Sequence, residues 1–471
     1  MLALARRMGL SVTAYRRHLK QNGVSTSSLR SIADLGRLPI TSKANYIKKH
    51  GFADLSWERS LKTAHTITAT SGSTGQPSYF SRSPAVDDQA SLIHELILRA
   101  SSLSLSSSTL VLVCFGMGVW IGGVITYQAF ALMGRRGYPL AILTPGINKA
   151  EIFKALADVA PHYDQIIFAG YPPFLKDIID EAAARDISFT GKRVMLLFAA
   201  EAFTEPFRDY MAEKAGLANP LTDAINIYGT ADLGAMAFET PLSILARRLA
   251  TKDKLLFADL FRGTSKTPTL AQYVPDFVSF EAPDGEVLIS GDSAVPLLRY
   301  SIGDHGGVYS FSELEDRFKA HGIDLLREAR AAGVKKHLHE LPFVYVFERI
   351  DLATTLYGLQ VYPETVREVL LDKRFAPYMT GKLALATKYD HNHDQYLEIN
   401  LEQKPRARVT RVLASELLAE IVKNLREKNS EFRELSDSLG KRAEPKLAFW
   451  PYEDPLYFKP GVKQQWIVRP T

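Results

Sequence analysis

The feature that most restricts this chain is a regular alternation between residues 109 and 230. The runs "TLVLVCF", "YPLAIL", "QIIFAG", "RVMLLFAA" and "AINIYG" read as buried strands. Between them "AEIFKALADVA", "PPFLKDIIDEAAARD" and "EPFRDYMAEKAG" place apolar residues at helical spacing. Strands that alternate with helices imply a parallel sheet covered by helices on both faces. Ligands of such sheets bind beyond the carboxyl ends of the strands. The glycine-rich and polar clusters fall there: "GMGVWIGG", "GYPP", "AAEAFTE" and "YGTADLG" each follow a strand.

Beyond residue 240 the pattern changes. "YVPDFVSFEAPDGEVLISGDSAVPLLRYSIGDHGGVYSF" reads as short strands split by Asp-Gly and Gly-Asp turns, an antiparallel sheet or barrel. Residues 312–340 read as a charged helical insertion, and "RIDLATTLYGLQVYPETVREVLL" as a strand, a glycine turn and a helix. "ELLAEIVKNLREK" reads as an exposed helix further on. The expected fold class is therefore α/β. A large N-terminal domain, residues 1–349, has mostly parallel sheets plus a small β-rich subdomain, and a small α+β C-terminal domain spans 350–471.

Composition narrows the function classes. A chain of 471 residues has room for about two to four packed units, and 46% hydrophobic with 23% charged residues is an ordinary globular balance. The excess of Lys plus Arg (57) over Asp plus Glu (52) suits anionic small molecules and is too diffuse for a nucleic-acid footprint. Cys114 is the only cysteine, which excludes an internal disulfide and a cysteine-based zinc site. The basic N-terminus has no apolar signal core, so the cytoplasm is the expected location. Residues 111–133 carry no charge over a membrane-spanning length, but Gly116, Gly118, Gly122 and Gly123 interrupt them. A buried strand, a glycine turn and a buried helix are expected there, with no membrane partner.

The stretch "TATSGSTGQPSYFSRS", residues 68–83, poses a sharper question. Small residues leave backbone N–H groups uncovered, which suits an anion nest, and flexible linkers use the same letters. The usual P-loop spacing is absent: Gly72 and Gly75 are three apart, and Gln76 follows where a Lys would sit.

Taken in order, these stretches resemble the acyl-adenylate-forming (AMP-dependent synthetase/ligase) enzymes, and within them the phenylacetate-CoA ligase-like branch. "TSGSTGQP" resembles the superfamily's phosphate loop, "FGMGVWIGG" the aromatic-glycine segment of the branch, and "AAEAFTEPFR" the segment with an adenine-contacting Glu. "IYGTADLG" resembles the "YG.(S/T)E" motif, "LLRYSIGD" the "RY.T.D" motif, and "ERIDLATTLYGLQVYPETVREVL" the hinge and the start of the mobile C-terminal domain.

The resemblance implies ATP-dependent conversion of a carboxylic acid, aryl or otherwise apolar, to acyl-AMP, then transfer to CoA. It gives Ser71, Gly72, Ser73, Thr74 and Gly75 to the phosphates, and Glu201 and Tyr228, with Gly229 and Thr230, to the nucleotide. Asp304 would hold the ribose, with Arg349 near it and the hinge at Asp351. Asp232 stands at the position of a Mg2+-binding Glu, one methylene shorter, and Lys463 lines up with the C-terminal catalytic Lys better than Lys459 does. Phe115, Trp120, Gly122 and Tyr171 would face the acyl group, whereas Tyr127 and Phe130 read as core. Gly358 would let an acceptor chain pass close to the backbone.

The acceptor is CoA, a separate carrier protein or an amine; a homodimer is compatible with the pattern, and nucleic acid is not expected. Departures are Gln76 for the loop Lys, Glu348 for the Gly before the hinge Arg, and "SIGD" without a second basic residue. Gln76 and Asp232 keep open a non-catalytic nucleotide-binding member. Bland readings also stand: turn roles for Asp232 and Asp304, an ion pair for Arg299, and hydrated turns for "HLHE" and "DHNHD".

Overall fold

The computed structural model describes residues 1–62, 64–70, 78–262, 267–347, 354–370, 372–458 and 467, with Ala184 and Glu364 described in backbone only. Each expected parallel strand is present. Ala224–Thr230, Arg193–Ala199, Gln165–Gly170, Thr109–Cys114 and Leu140–Leu143 lie side by side in that order, all parallel. Thr109–Cys114 and Gln165–Gly170 are buried along their whole length, which is why they read as unbroken apolar runs. The Ile121–Arg135, Lys149–Asp158, Pro172–Ala184 and Glu205–Ala215 helices cross between these strands. The uncharged 111–133 stretch is thus a strand end, a loop and a helix. Among the described residues no helix is long and apolar enough to cross a membrane.

The β-rich part is present as well, and it continues the same sheet. Gly234–Phe238 folds back antiparallel on Ala224–Thr230, and further antiparallel neighbours follow it; with Thr41–Ser42 the sheet has 12 strands among the described residues. Thr41–Ser42, from the N-terminal region, adds to it in parallel beside Tyr300 and Ser301. One expectation needs correction: the Gly-Asp pair of "SIGD" makes no turn. Leu297–Tyr309 is one long strand, and Gly303, at φ +88°, lies where its register against Glu286–Gly291 shifts. The extra residues form a bulge, and bulges re-aim side chains next to functional sites. The charged stretch after it folds as helices Phe311–Ala320 and Leu325–Ala331.

From residue 354 the chain builds a separate three-stranded sheet from Met379–Tyr389, Gln395–Gln403 and Lys446–Trp450, backed by helices Pro363–Leu370, Arg411–Lys428 and Ser430–Leu439. The helix read as exposed is amphipathic: Leu417, Ile421 and Leu425 are buried against the sheet. A hairpin, Thr354–Leu356 with Leu359–Val361, turns at Tyr357 and Gly358. Its apolar residues share one buried cluster with the parallel strands, so this C-terminal unit packs on the carboxyl-end side of the sheet.

Candidate active site

The hairpin Thr66–Ala69 with Tyr79–Arg82 brackets the glycine-rich loop. Its mouth is pinned: Thr70 N–H donates to the Ser78 carbonyl at 2.9 Å, and Ser78 N–H to Thr70 Oγ1 at 3.1 Å. Ser71, Gly72, Ser73, Thr74, Gly75 and Gln76 themselves lie outside the described residues. Ala69 N–H donates to the Val119 carbonyl at 2.9 Å, which ties the hairpin to the aromatic-glycine segment.

That segment leaves the sheet at Cys114 and surrounds an apolar corner. Phe115 is 2% exposed and meets Tyr171, the first residue after the neighbouring strand, edge to face with ring centroids 5.1 Å apart. A Cβ on Gly122 would stand 3.4 Å from the Phe115 ring, and Trp120 covers Gly116 as closely. Burial, with Glu431, Glu434 and Glu201 near it, pushes the Tyr171 phenol well above its ordinary range, so it stays neutral. Phe130 is core as expected, but Tyr127 is 44% exposed: it lies on the outer face of its helix, which the apolar composition of that helix concealed.

A polar corner lies two strands beyond the one that precedes Tyr171. The hydroxyl of Tyr228 donates to Asp304 at 2.6 Å, the bulge in Leu297–Tyr309 having turned Asp304 toward the Ala224–Thr230 strand across the intervening part of the sheet. Gly229 and Thr230 end that strand, and Thr230 Oγ1 accepts from Leu233 N–H at 3.3 Å, closing the turn that carries Asp232. Asp232 is buried; it accepts from the Tyr300 hydroxyl at 2.7 Å and faces the Lys43 ammonium at 3.7 Å. Lys43 is the residue that reading the sequence missed. It reaches the site only because Thr41–Ser42 pairs with Tyr300 and Ser301, a contact no local pattern announces. Arg299 has the bland role: it pairs with Glu281 at 3.2 Å and donates to the carbonyls of Gly36 and Leu38.

Glu201 joins the two corners to the C-terminal unit. It follows Ala200, a non-glycine residue at φ +75°, a backbone strain typical of positions held for function. Its carboxylate accepts from Gly358 N–H and from Gln395 Nε2, the latter at 3.0 Å. Gly358 sits at φ +84° against Tyr171, so the C-terminal hairpin closes over the apolar corner. Behind Glu201, Asn226 Nδ2 donates to its carbonyl at 3.0 Å, and Asn226 N–H donates to Glu239 at 2.9 Å. Glu239 and Glu205 belong to a buried network with Arg208, Arg247 and Arg248. Arg349, Asp351 and both Lys459 and Lys463 lie outside the described residues, as does Glu348.

Among the described residues no group of three or more His, Cys, Asp or Glu side chains could hold a metal ion. A Mg2+ that bridges substrate phosphates needs less: one or two protein carboxylates, with phosphate oxygens and waters filling the octahedron. Asp232 fits that demand, with Lys43 as a competing cation on the same carboxylate.

An apolar corner and a polar corner on one sheet, closed by a small C-terminal unit, have the arrangement expected of an acyl-adenylate-forming type of site. No family model matches the sequence. The chain is 22% identical over 405 residues to a phenylacetate-coenzyme A ligase of Aromatoleum evansii, covering 85% of this chain and 79% of that one. It is 23% identical over 366 residues to a phenylacetate-coenzyme A ligase of Thermus thermophilus, covering 76% and 71%. In fold it is similar to 2-hydroxyisobutyryl-CoA ligase solved with 2-HIB-AMP and CoA, at a TM-score of 0.64 and 15% identity over 99% of this chain and 87% of that one. In sequence and in fold the chain is thus similar to acyl-adenylate-forming enzymes of the phenylacetate-CoA ligase-like branch.

Proposed function

We propose that this protein activates a carboxylic acid with ATP to acyl-AMP and then passes the acyl group to CoA. The observation that carries this reading is the convergence of Phe115 and Tyr171 with Glu201, and of Tyr228 with Asp304, at the ends of adjacent strands beneath Gly358. The named activity of the sequence relatives and the CoA and adenylate in the related structure support it.

The acid is an aryl or similarly apolar one, because its tail must lie against Phe115, Trp120 and Tyr171. A free carboxylic acid with a pKa of about 4 is ionised at neutral pH and needs no general base to attack the α-phosphate. Positioning and charge compensation therefore supply the rate. Ser71 to Gly75 would cradle the phosphates; Asp304, already oriented by the Tyr228 hydroxyl, would accept from the ribose hydroxyls while the Tyr228 ring covers the adenine. Asp232 would hold Mg2+, which neutralises phosphate charge when bound, and Lys43 would turn from Asp232 toward a phosphate oxygen. That would supply a lysine charge of the kind the loop sequence lacks at Gln76.

Two domains, meeting near residues 349–351, would take two orientations. In the first, Lys463 reaches the reacting carboxylate and α-phosphate, and Glu201 faces the adenine amino group. In the second, which the contact between Glu201 and Gly358 supports, the acceptor thiol enters along the Gly358 backbone to displace AMP. Arg349 and Asp351 would guide that rotation.

Acid-dependent ATP–pyrophosphate exchange, run with aryl and alkyl acids and followed by mass analysis of products with and without CoA, tests the reading. Exchange together with a CoA thioester supports it. Exchange without a thioester moves the acceptor to an amine or a carrier protein, and absence of exchange with every acid overturns adenylation. Lys463→Ala should lower exchange by about 100- to 1,000-fold while ATP binding and folding persist, because one charge-stabilising donor is worth that much. Lys43→Met should lower kcat/KM for MgATP by about 10- to 100-fold through loss of a charge-assisted contact; an unchanged value would show that Lys43 only neutralises Asp232.

A further inference from the structure

A closed ring of charges joins the parallel-sheet part to the C-terminal unit, away from the reacting groups. Lys176 and Asp177 are neighbours on the Pro172–Ala184 helix, and each side chain is 1% exposed. Lys176 Nζ meets Asp394 at 2.8 Å, at the end of the turn between strands Met379–Tyr389 and Gln395–Gln403. Arg442, in the turn before the last strand, meets Asp177 at 2.6 Å and Asp394 at 2.8 Å. The N-terminal cation thus grips the C-terminal anion and the reverse; three ion pairs link the four residues, and the backbone between Lys176 and Asp177 closes the ring. Asp180 and Lys149 back it: Asp180 takes Lys176 at 2.6 Å and Lys149 lies 3.6 Å from Asp177. The next residue after Asp394 is Gln395, whose Oε1 accepts Tyr357 N–H at 2.5 Å and whose Nε2 donates to Glu201. The ring therefore sets the position of the very hairpin that lays Gly358 on Tyr171.

We propose that Lys176, Asp177, Asp394 and Arg442 form a latch that holds the C-terminal unit in the acceptor-transfer orientation, making these four positioning residues for the second half-reaction alone. Their pairing is specific in register, since a shift of one helical turn along Pro172–Ala184 would set Asp180 in place of Lys176 against Asp394. Partly buried ion pairs are screened little by salt, so the latch survives physiological ionic strength. Acid opens it. Burial pushes Asp177 up to about 6 against the pull of Lys149, Arg442 and Lys176, with Asp394 adding to the rise and the Tyr357 hydroxyl facing the same group. As pH falls through that value Asp177 gains a proton and Arg442 loses a partner.

The inference rests on the two-step reading given above, and its test separates the two. Arg442→Ala and Asp394→Asn should each lower thioester formation from acid, ATP and CoA by about five- to a hundredfold, with acid-dependent ATP–pyrophosphate exchange unchanged or raised. Arg442→Lys should recover much of the loss. In parallel, fluorophores on exposed Ser188→Cys and Ser415→Cys report the orientation without any substrate, since Cys114 is buried and will not label. Energy transfer between them should change on Arg442→Ala, and in the unmutated ring on acidification through about pH 6. Equal losses of exchange and transfer, or energy transfer that ignores Arg442→Ala, would overturn the latch. Absence of exchange in the parent protein would strike the proposed function instead, while the fluorescence still decides the latch.

Discussion

Alanine at position 358 is expected to stop acyl transfer and leave adenylation running. A Cβ there would lie 2.2 Å from Tyr171 Cδ1 and 2.5 Å from Cε1, nearer than any real contact, at a φ of +84° that L-residues avoid. Tyr171 has no room to withdraw, because its ring already rests edge-on against buried Phe115. Left-handed backbone strain of about 1–2 kcal/mol and overpacking of about 1–3 kcal/mol both act only when the hairpin is seated. The seated orientation therefore loses about 2–5 kcal/mol, or roughly 30-fold to several thousand-fold in the transfer rate. Single-turnover conversion of preformed acyl-AMP by CoA measures this, with exchange as the control; a parallel fall in exchange would mean that the hairpin is also needed for adenylation.

The second large effect concerns stability. Glu205→Gln removes the carboxylate that Arg208, Arg247 and Arg248 share, with Arg208 Nε at 3.0 Å, Arg247 Nε at 2.8 Å and Arg248 Nε at 2.7 Å. Arg208 and Arg247 are fully buried, so losing this anion leaves Glu239 alone to balance two buried guanidiniums, at a cost of about 3–5 kcal/mol. The pH dependence has a definite sign. Burial alone would raise the Glu205 carboxyl, but the three arginines outweigh it and hold the group down at about 2. A depressed carboxylate contributes stability that is present above the ordinary Glu range and is lost as pH falls toward 2. Thermal unfolding should accordingly show the parent losing stability on acidification and Glu205→Gln starting lower with a flatter acid slope. The same network holds Asn226 beneath Glu201, so the variant's exchange activity reports how far it positions the site.

Much of this was legible in the chain. Strands buried on both faces leave uninterrupted apolar runs, so the parallel half of the sheet could be read to within a residue or two. The convergence of Phe115, Tyr171, Glu201 and Tyr228 followed from the rule that strand ends gather ligands. What escaped was long-range. "SIGD" looked like a turn because Gly-Asp pairs usually are, but cross-strand pairing on both sides kept the strand going and made the glycine a bulge. Lys43 escaped because its strand is two residues long and its partner lies far along the chain. Lys176 and Arg442 belong to no local motif, and only packing of the C-terminal unit sets them opposite Asp394 and Asp177.

The short pairing of Thr41–Ser42 with Tyr300 and Ser301 also bears on how the protein is made. Thr41 Oγ1 bonds the Leu298 carbonyl across 257 residues of chain. At synthesis rates of about 5–20 residues per second, the emerging N-terminal segment waits about 10–50 s before its partner strand leaves the ribosome. During that interval the helices Leu2–Ser11 and Thr13–Gln21 have each other and the residues just after them, but not the strand residues that complete their apolar cluster. Assembly of the polar corner is therefore a late event, and of the strands of that sheet only Phe343–Phe347 leaves the ribosome after it.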